Sequence, residues 1–179
     1  MKRFAMFATF FVSTLLAFGS SITLAADLQV GRDYTVIDPP QPGGSAGKIE
    51  VVEFFSYACS HCNDFSPLVA AWSASLPKDV VFRRIPVSFN RPPWARLAGI
   101  YYSLDATGNL EKLDAMVFAA VHKDRVNFDS NESFVAWATS KGADGKKIGD
   151  AMNSFGVQTR LKQGDQEAVR YGISGVPAM

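Results

Sequence analysis

Cysteine is almost absent from this chain: Cys59 and Cys62 are the only two in 179 residues. So few exclude a disulfide-scaffolded fold. With only two histidines besides, His61 and His122, a zinc site built from two cysteine pairs is excluded too. A surplus of charge is also missing. Eighteen Lys and Arg against seventeen Asp and Glu leave a formal net charge of +1, which gives no electrostatic footprint for nucleic acid. There is no internal repeat or low-complexity tract, and 47% hydrophobic with 20% charged residues is an ordinary globular composition, which rules out a disordered or collagen-like chain. Beyond the N-terminus, no stretch approaches the roughly 18 apolar residues of a membrane-spanning helix.

What is present begins with a targeting pattern. Lys2 and Arg3 lead into an apolar run from Phe4 to Phe18, then Gly19, Ser20 and Ser21, then small residues around Thr23, Ala25 and Ala26. Residues 1–26 read as a secretory signal peptide cleaved after Ala25 or Ala26. The alternative is an uncleaved anchor, since Phe4 to Ala26 carries no charge. A mature chain of about 150 residues buries roughly 68–70% of its unfolded surface and needs no disulfide for stability. In an oxidising compartment the two cysteines are then free for chemistry.

Along the mature chain, Tyr34–Ile37 reads as a short strand closed by a Pro/Gly loop. Ile49–Phe55 is β-branched and aromatic with little alternation, which suits a central strand covered on both faces. Apolar residues at three- and four-residue spacing predict a helix over Ser60–Leu76, kinked at Pro67. Val80–Phe89 returns to strand character, with Pro86 marking an edge or strand end. A helical block follows, with predicted helices at Trp94–Ala106, Leu110–His122, Ser133–Ser140, Asp144–Phe155 and Val157–Tyr171. Gly156 is read as the stop between the last two, and Gly164 is an unfavourable residue inside the last. Tyr171–Pro177 turns back to extended structure.

Cys59-Ser60-His61-Cys62 follows the buried strand directly and opens the helix, so both sulfurs fall in a first helical turn. Unpaired N–H groups and positive partial charge at a helix start stabilise a thiolate. Cys59 is therefore the expected nucleophile, with the more exposed sulfur, and Cys62 the resolving thiol. His61 can donate a hydrogen bond or positive charge to Cys59. Whatever stabilises the reduced thiolate makes the disulfide a stronger oxidant. Two inert buried cysteines and a metal-binding pair remain as alternatives. Glu53 sits in an apolar strand, where an ionisable group is costly without a partner or a task. Tyr57, Phe89 and Trp94 are candidates for an apolar surface that accepts unfolded chains, or else for core. His122 is most simply a charge capping a helix C-terminus.

Glu-Phe-Phe-Ser-Tyr-Ala-Cys-Ser-His-Cys, with Gly-Val-Pro-Ala-Met more than a hundred residues later, resembles the DsbA family of periplasmic thiol:disulfide oxidoreductases. The likeness spans residues 27–179. It implies an α/β, thioredoxin-like fold with an inserted helical domain: residues 27–90 and 171–179 in the thioredoxin-like part, 91–170 in the insertion. Cys59 matches the family's attacking cysteine, Cys62 the buried resolving one and His61 the dipeptide histidine, while Ser60 departs from the proline most often found there. Pro177 resembles the cis-proline facing the active site, with the Val176 backbone pairing with an extended substrate. Glu53 resembles the buried acid beneath the site, and Arg84 falls where the family carries a basic partner. Pro67 resembles the helix-kinking proline of thioredoxins.

The resemblance further implies a redox-active disulfide in place of any cofactor, and folding secreted proteins with free cysteines as substrates. It also implies reoxidation by a quinone-linked inner-membrane partner of the DsbB type, and a monomer. The family fold continues past the Val-Pro turn with a hairpin and a closing helix, so the expectation is that this sequence is an incomplete chain. Two rivals stay open: a reductase or isomerase of the same fold, and a periplasmic module binding Cu(I) through Cys59, Cys62 and His61.

Overall fold

The computed structural model describes residues 27–43 and 47–179. The expected signal peptide, residues 1–26, lies outside the described residues. The chain divides into two units, one ending at Val36 and the other running from Ile37 to Met179. In the first, residues 27–36 form a tight turn closed by a Val30–Tyr34 bridge, with the Asp33 carboxylate accepting from the Gln29 backbone and the Arg32 guanidinium. Tyr34–Ile37 is therefore not a strand. Its short run of apolar residues forms one isolated bridge before the prolines begin, and the Asp38–Pro39 peptide is cis.

The second unit is built on a β-α-β crossover. Strand β1 (Ile49–Phe55), helix α1 (Ser60–Ser73) and strand β2 (Val80–Pro86) follow in order, and the strands pair in parallel from Ile49↔Val80 to Phe55↔Pro86. β2 stops at Pro86, which cannot donate to a ladder. On its other edge β1 takes one antiparallel bridge, Phe54↔Ala178, so the last residues return beside the strand that leads to the cysteines. The burial of β1 is graded: Ile49 is exposed, and the strand becomes fully covered only from Val52 to Phe55.

Side chains alternate across a strand, and the two faces of β1 meet different cores. Val52 and Phe54 join Ile85, Val87 and Ala168 in a smaller cluster, while Phe55 belongs to the main core with the helical block. Glu53 shares the face of Phe55, and the register sets it opposite Arg84.

Five helices follow: α2 (Pro92–Ala106), α3 (Leu110–His122), α4 (Asn131–Ser140), α5 (Gly145–Met152) and α6 (Phe155–Arg170). α2 starts on two prolines, which lack only N–H groups that a first turn leaves unpaired, and is buried without a break from Leu97 to Leu104. The boundary between α5 and α6 differs from the expected one. Ser154, not Gly156, separates them: its hydroxyl caps α6 by accepting from the Val157 N–H, and Gly156 lies in the first turn. Gly164 has a structural reason. A Cβ there would lie 2.6 Å from the Tyr102 hydroxyl and 3.0 Å from Ile85, so its bare backbone allows α6 to approach β2.

Candidate active site

The site sits where β1 hands over to α1. Between them Ser56 closes a turn: its carbonyl accepts from the Cys59 N–H at 3.1 Å and its hydroxyl from the Ala58 N–H at 3.2 Å. Cys59 then occupies the N-cap of α1 in an extended conformation, and no side-chain oxygen caps the helix. Cys59 thus stands at the helix start, where the first-turn N–H groups have no partner within the helix.

The two sulfurs, both free thiols here, stand in contrasting environments. Cys59 is partly exposed, and its thiol donates to the Val176 carbonyl at 3.4 Å. Cys62, one turn on, is completely buried in the main core. Burial pushes its thiol up to about 12 against the opposing Ser56 backbone contact, with Cys59 and Glu53 adding to the rise. Val176 and Pro177, joined by a cis peptide, bring the chain's return segment against this pair. His61 is exposed on α1, and the Cys59 sulfur faces Val176 rather than the imidazole.

Beneath the cysteines lies a buried charge cluster. Glu53 is 0% exposed; one carboxylate oxygen accepts from Arg84 Nε at 2.6 Å, and the other, Oε1, has no hydrogen-bond partner among the described residues. Burial holds its carboxyl above the usual range, against the pull of Arg84. Arg84 lies 4.0 Å over the Phe55 ring and donates through Nη1 to Asp114 at 2.8 Å. Asp114 in turn accepts from the Tyr57 hydroxyl at 2.5 Å. Arg84 and Asp114 line a groove of about 890 Å³ that also borders α1 and α3.

Four residues expected at the site are thus brought together around the start of α1: Cys59, Cys62, Val176 and Pro177. Glu53 and Arg84 form a pair below. Tyr57, considered for an accepting surface, is 1% exposed and belongs to the core, whereas Phe89 and Trp94 are half-buried, with their rings tilted against each other at 5.9 Å. Sequence reasoning missed Asp114; it set His122 at a helix end, where it does close α3, but gave it no part in the site. The His122 Nε2 donates to the Tyr57 carbonyl at 2.8 Å, reaching into the turn that carries Cys59. Only a contact between residues remote in sequence puts either there, and no local pattern signals it.

The chain matches the family model "DSBA-like thioredoxin domain" over residues 50–179. The thiol:disulfide interchange protein DsbA of Bordetella parapertussis is 36% identical over 174 residues, 96% of this chain and 81% of that protein. The chain belongs to the DsbA family. The DsbA of Pseudomonas aeruginosa is 33% identical over 171 residues, 94% of this chain and 81% of its own length. Among solved DsbA structures, a Pseudomonas aeruginosa variant superposes with a TM-score of 0.81 at 33% identity, covering 84% of this chain and 81% of that one. The DsbA1 oxidoreductase of Neisseria meningitidis gives 0.74 at 28% identity, covering 86% and 80%. The fold is therefore the thioredoxin-like fold of DsbA, and the chain is a thiol:disulfide oxidoreductase of that family. Among the described residues no helix is long and apolar enough to cross a membrane, and no group of three or more His, Cys, Asp or Glu could hold a metal ion.

Proposed function

We propose that the protein donates a Cys59–Cys62 disulfide to folding secreted proteins in the periplasm, which it reaches through a cleaved signal peptide at residues 1–26. The observation carrying this reading is the asymmetry of the two sulfurs: Cys59 partly exposed at an uncapped helix start, Cys62 buried with its thiol pushed up to about 12. A substrate thiolate attacks the Cys59 sulfur of the oxidised pair. The Cys59–Cys62 bond breaks, and Cys62 leaves with the electron pair and takes up a proton, to which its burial holds it. A second substrate thiolate attacks the substrate's own sulfur in the mixed disulfide. Cys59 leaves as a thiolate in the positive field of the α1 start. The substrate departs with a new disulfide, two electrons poorer, and the protein holds two reduced cysteines.

The remaining roles follow from position. Val176 and Pro177 border Cys59, where an extended substrate segment would pair with the backbone. Glu53, with Arg84, accepts or returns the proton of Cys62 from below. His61, exposed beside Cys59, adds positive charge near the sulfur when protonated. Residues 27–90 and 171–179 carry this chemistry, and 91–170 form the inserted helical domain. The redox-active disulfide takes the place of a cofactor, and a monomer regenerated by a quinone-linked inner-membrane oxidase of the DsbB type completes the cycle.

Cysteine variants test the roles. Cys59→Ser is expected to abolish oxidation of a reduced, unfolded protein, and Cys62→Ser to accumulate mixed disulfides visible on non-reducing gels. Mixed disulfides that accumulate equally in both variants, or in neither, would overturn the assignment.

A further inference from the structure

Tyr57, two residues before Cys59, is gripped by one face of α3. Asp114, Phe118 and His122 follow at i, i+4 and i+8, so they line one side of the helix. Each holds a different part of the tyrosine. The Asp114 carboxylate accepts from its hydroxyl at 2.5 Å, the Phe118 ring meets its ring edge-on at 4.7 Å, and the His122 Nε2–H donates to its carbonyl at 2.8 Å. His122 is itself stacked on Phe118.

We propose that this α3 clasp is a positioning device for the attacking cysteine, and that His122 is the residue through which the helical block tunes the redox balance of the Cys59–Cys62 pair. The inference rests on the disulfide-donor reading and extends it to a residue outside the cysteine motif.

The Ala58 and Cys59 N–H groups are both satisfied by Ser56, within the turn itself. The Tyr57 carbonyl instead takes its donor from α3. A carbonyl without a donor presents an uncompensated negative end, here two residues from the sulfur that leaves the mixed disulfide as a thiolate. An N–H on that oxygen cancels part of this field and fixes the peptide's orientation. The reduced form gains more from this than the disulfide form does, because a negative sulfur can form only once the disulfide is broken. His122 therefore makes the pair more oxidising, acting through Tyr57 without touching either cysteine.

The test compares the parent protein with His122→Leu and His122→Gln in glutathione redox buffers. Leucine keeps the bulk and removes the donor, whereas glutamine keeps an N–H able to reach the Tyr57 carbonyl. The expected result for His122→Leu is a three- to tenfold shift of the equilibrium toward the disulfide form, tenfold being about 30 mV, with His122→Gln close to the parent. A purely structural role would lower the stability of oxidised and reduced forms alike and leave the equilibrium unmoved. A parent-like equilibrium in His122→Leu, or equal shifts in both variants, would overturn the proposal.

A second measurement needs no variant. In ¹⁵N-histidine-labelled protein the His122 Nε2–H resonance is expected to move between the oxidised and reduced states, and an unchanged resonance would equally overturn the proposal. The donor reading is judged separately, by the parent's own potential, so its failure is distinguishable from failure of the clasp.

Discussion

Alkaline pH is expected to destabilise the reduced protein through Cys62. The thiol ionises near 9.0 when exposed and is pushed up to about 12 by burial in the fold. Between those values the unfolded chain has released a proton that the native state still holds. Unfolding then releases a proton, so stability falls as pH rises, by about 1.4 kcal/mol per pH unit. Integrated from pH 9 to 11, one such group removes about 2 kcal/mol. Tyr57, Tyr101 and Tyr102 are also held above their usual range by burial and act in the same direction, so the cysteine must be isolated. Urea titrations of the reduced parent and of Cys62→Ala at pH 8, 9 and 11 do this, because the tyrosines and the cavity left by the substitution are common to every pH in the variant. The parent's advantage over Cys62→Ala is expected to shrink by about 2 kcal/mol between pH 9 and 11. A constant difference would show that Cys62 ionises as readily in the fold as out of it, and would refute the asymmetry on which the proposed reaction rests.

Other outcomes follow from the same geometry. Arg84→Leu leaves Glu53 and Asp114 without their shared cation and is expected to cost about 3–5 kcal/mol at pH 7. That loss should lessen in acid as Glu53, already held above its usual range, takes up a proton; a loss independent of pH, measured by denaturant titration, would count against the buried-charge account. Gly164→Ala forces a methyl into the space of the Tyr102 hydroxyl and Ile85, and a loss of about 1–3 kcal/mol is expected. A change below about 0.5 kcal/mol, the range of ordinary surface substitutions, would mean that α6 does not approach β2 as closely as described. Ser130→Ala removes the hydroxyl that caps α4 by accepting from Ser133, with an expected loss of about 1 kcal/mol in thermal or chemical unfolding. No loss would show that the capping box is dispensable.

The parts of the site that were readable in the sequence are those governed by local rules. An apolar β-branched run ending directly before Cys59 and Cys62 placed the sulfurs at a strand-to-helix junction, and Pro86 marked the end of β2, because both depend on neighbouring residues alone. Glu53 announced itself as the one ionisable group inside the buried end of β1, and its pairing with Arg84 follows from the parallel register. Elsewhere tertiary packing outweighed local propensity. Tyr34–Ile37 has strand-like residues but only one bridge to close on, and the glycine at position 156 was a weaker boundary signal than the serine at 154, whose hydroxyl provides the cap. Gly164 looked like a defect in a helix and is instead where the helix touches the sheet. The α3 clasp was invisible for a stricter reason. Its spacing reads as an ordinary amphipathic face, and only the fold shows that the face closes on Tyr57.

The most direct test of the account is the reduction potential of the Cys59–Cys62 pair, measured by equilibrium with glutathione buffers on folded protein. A disulfide donor whose reduced form is stabilised at the α1 start is expected to lie toward the DsbA figure of about −120 mV. A value toward the thioredoxin figure of about −270 mV would contradict it and make the protein an electron donor.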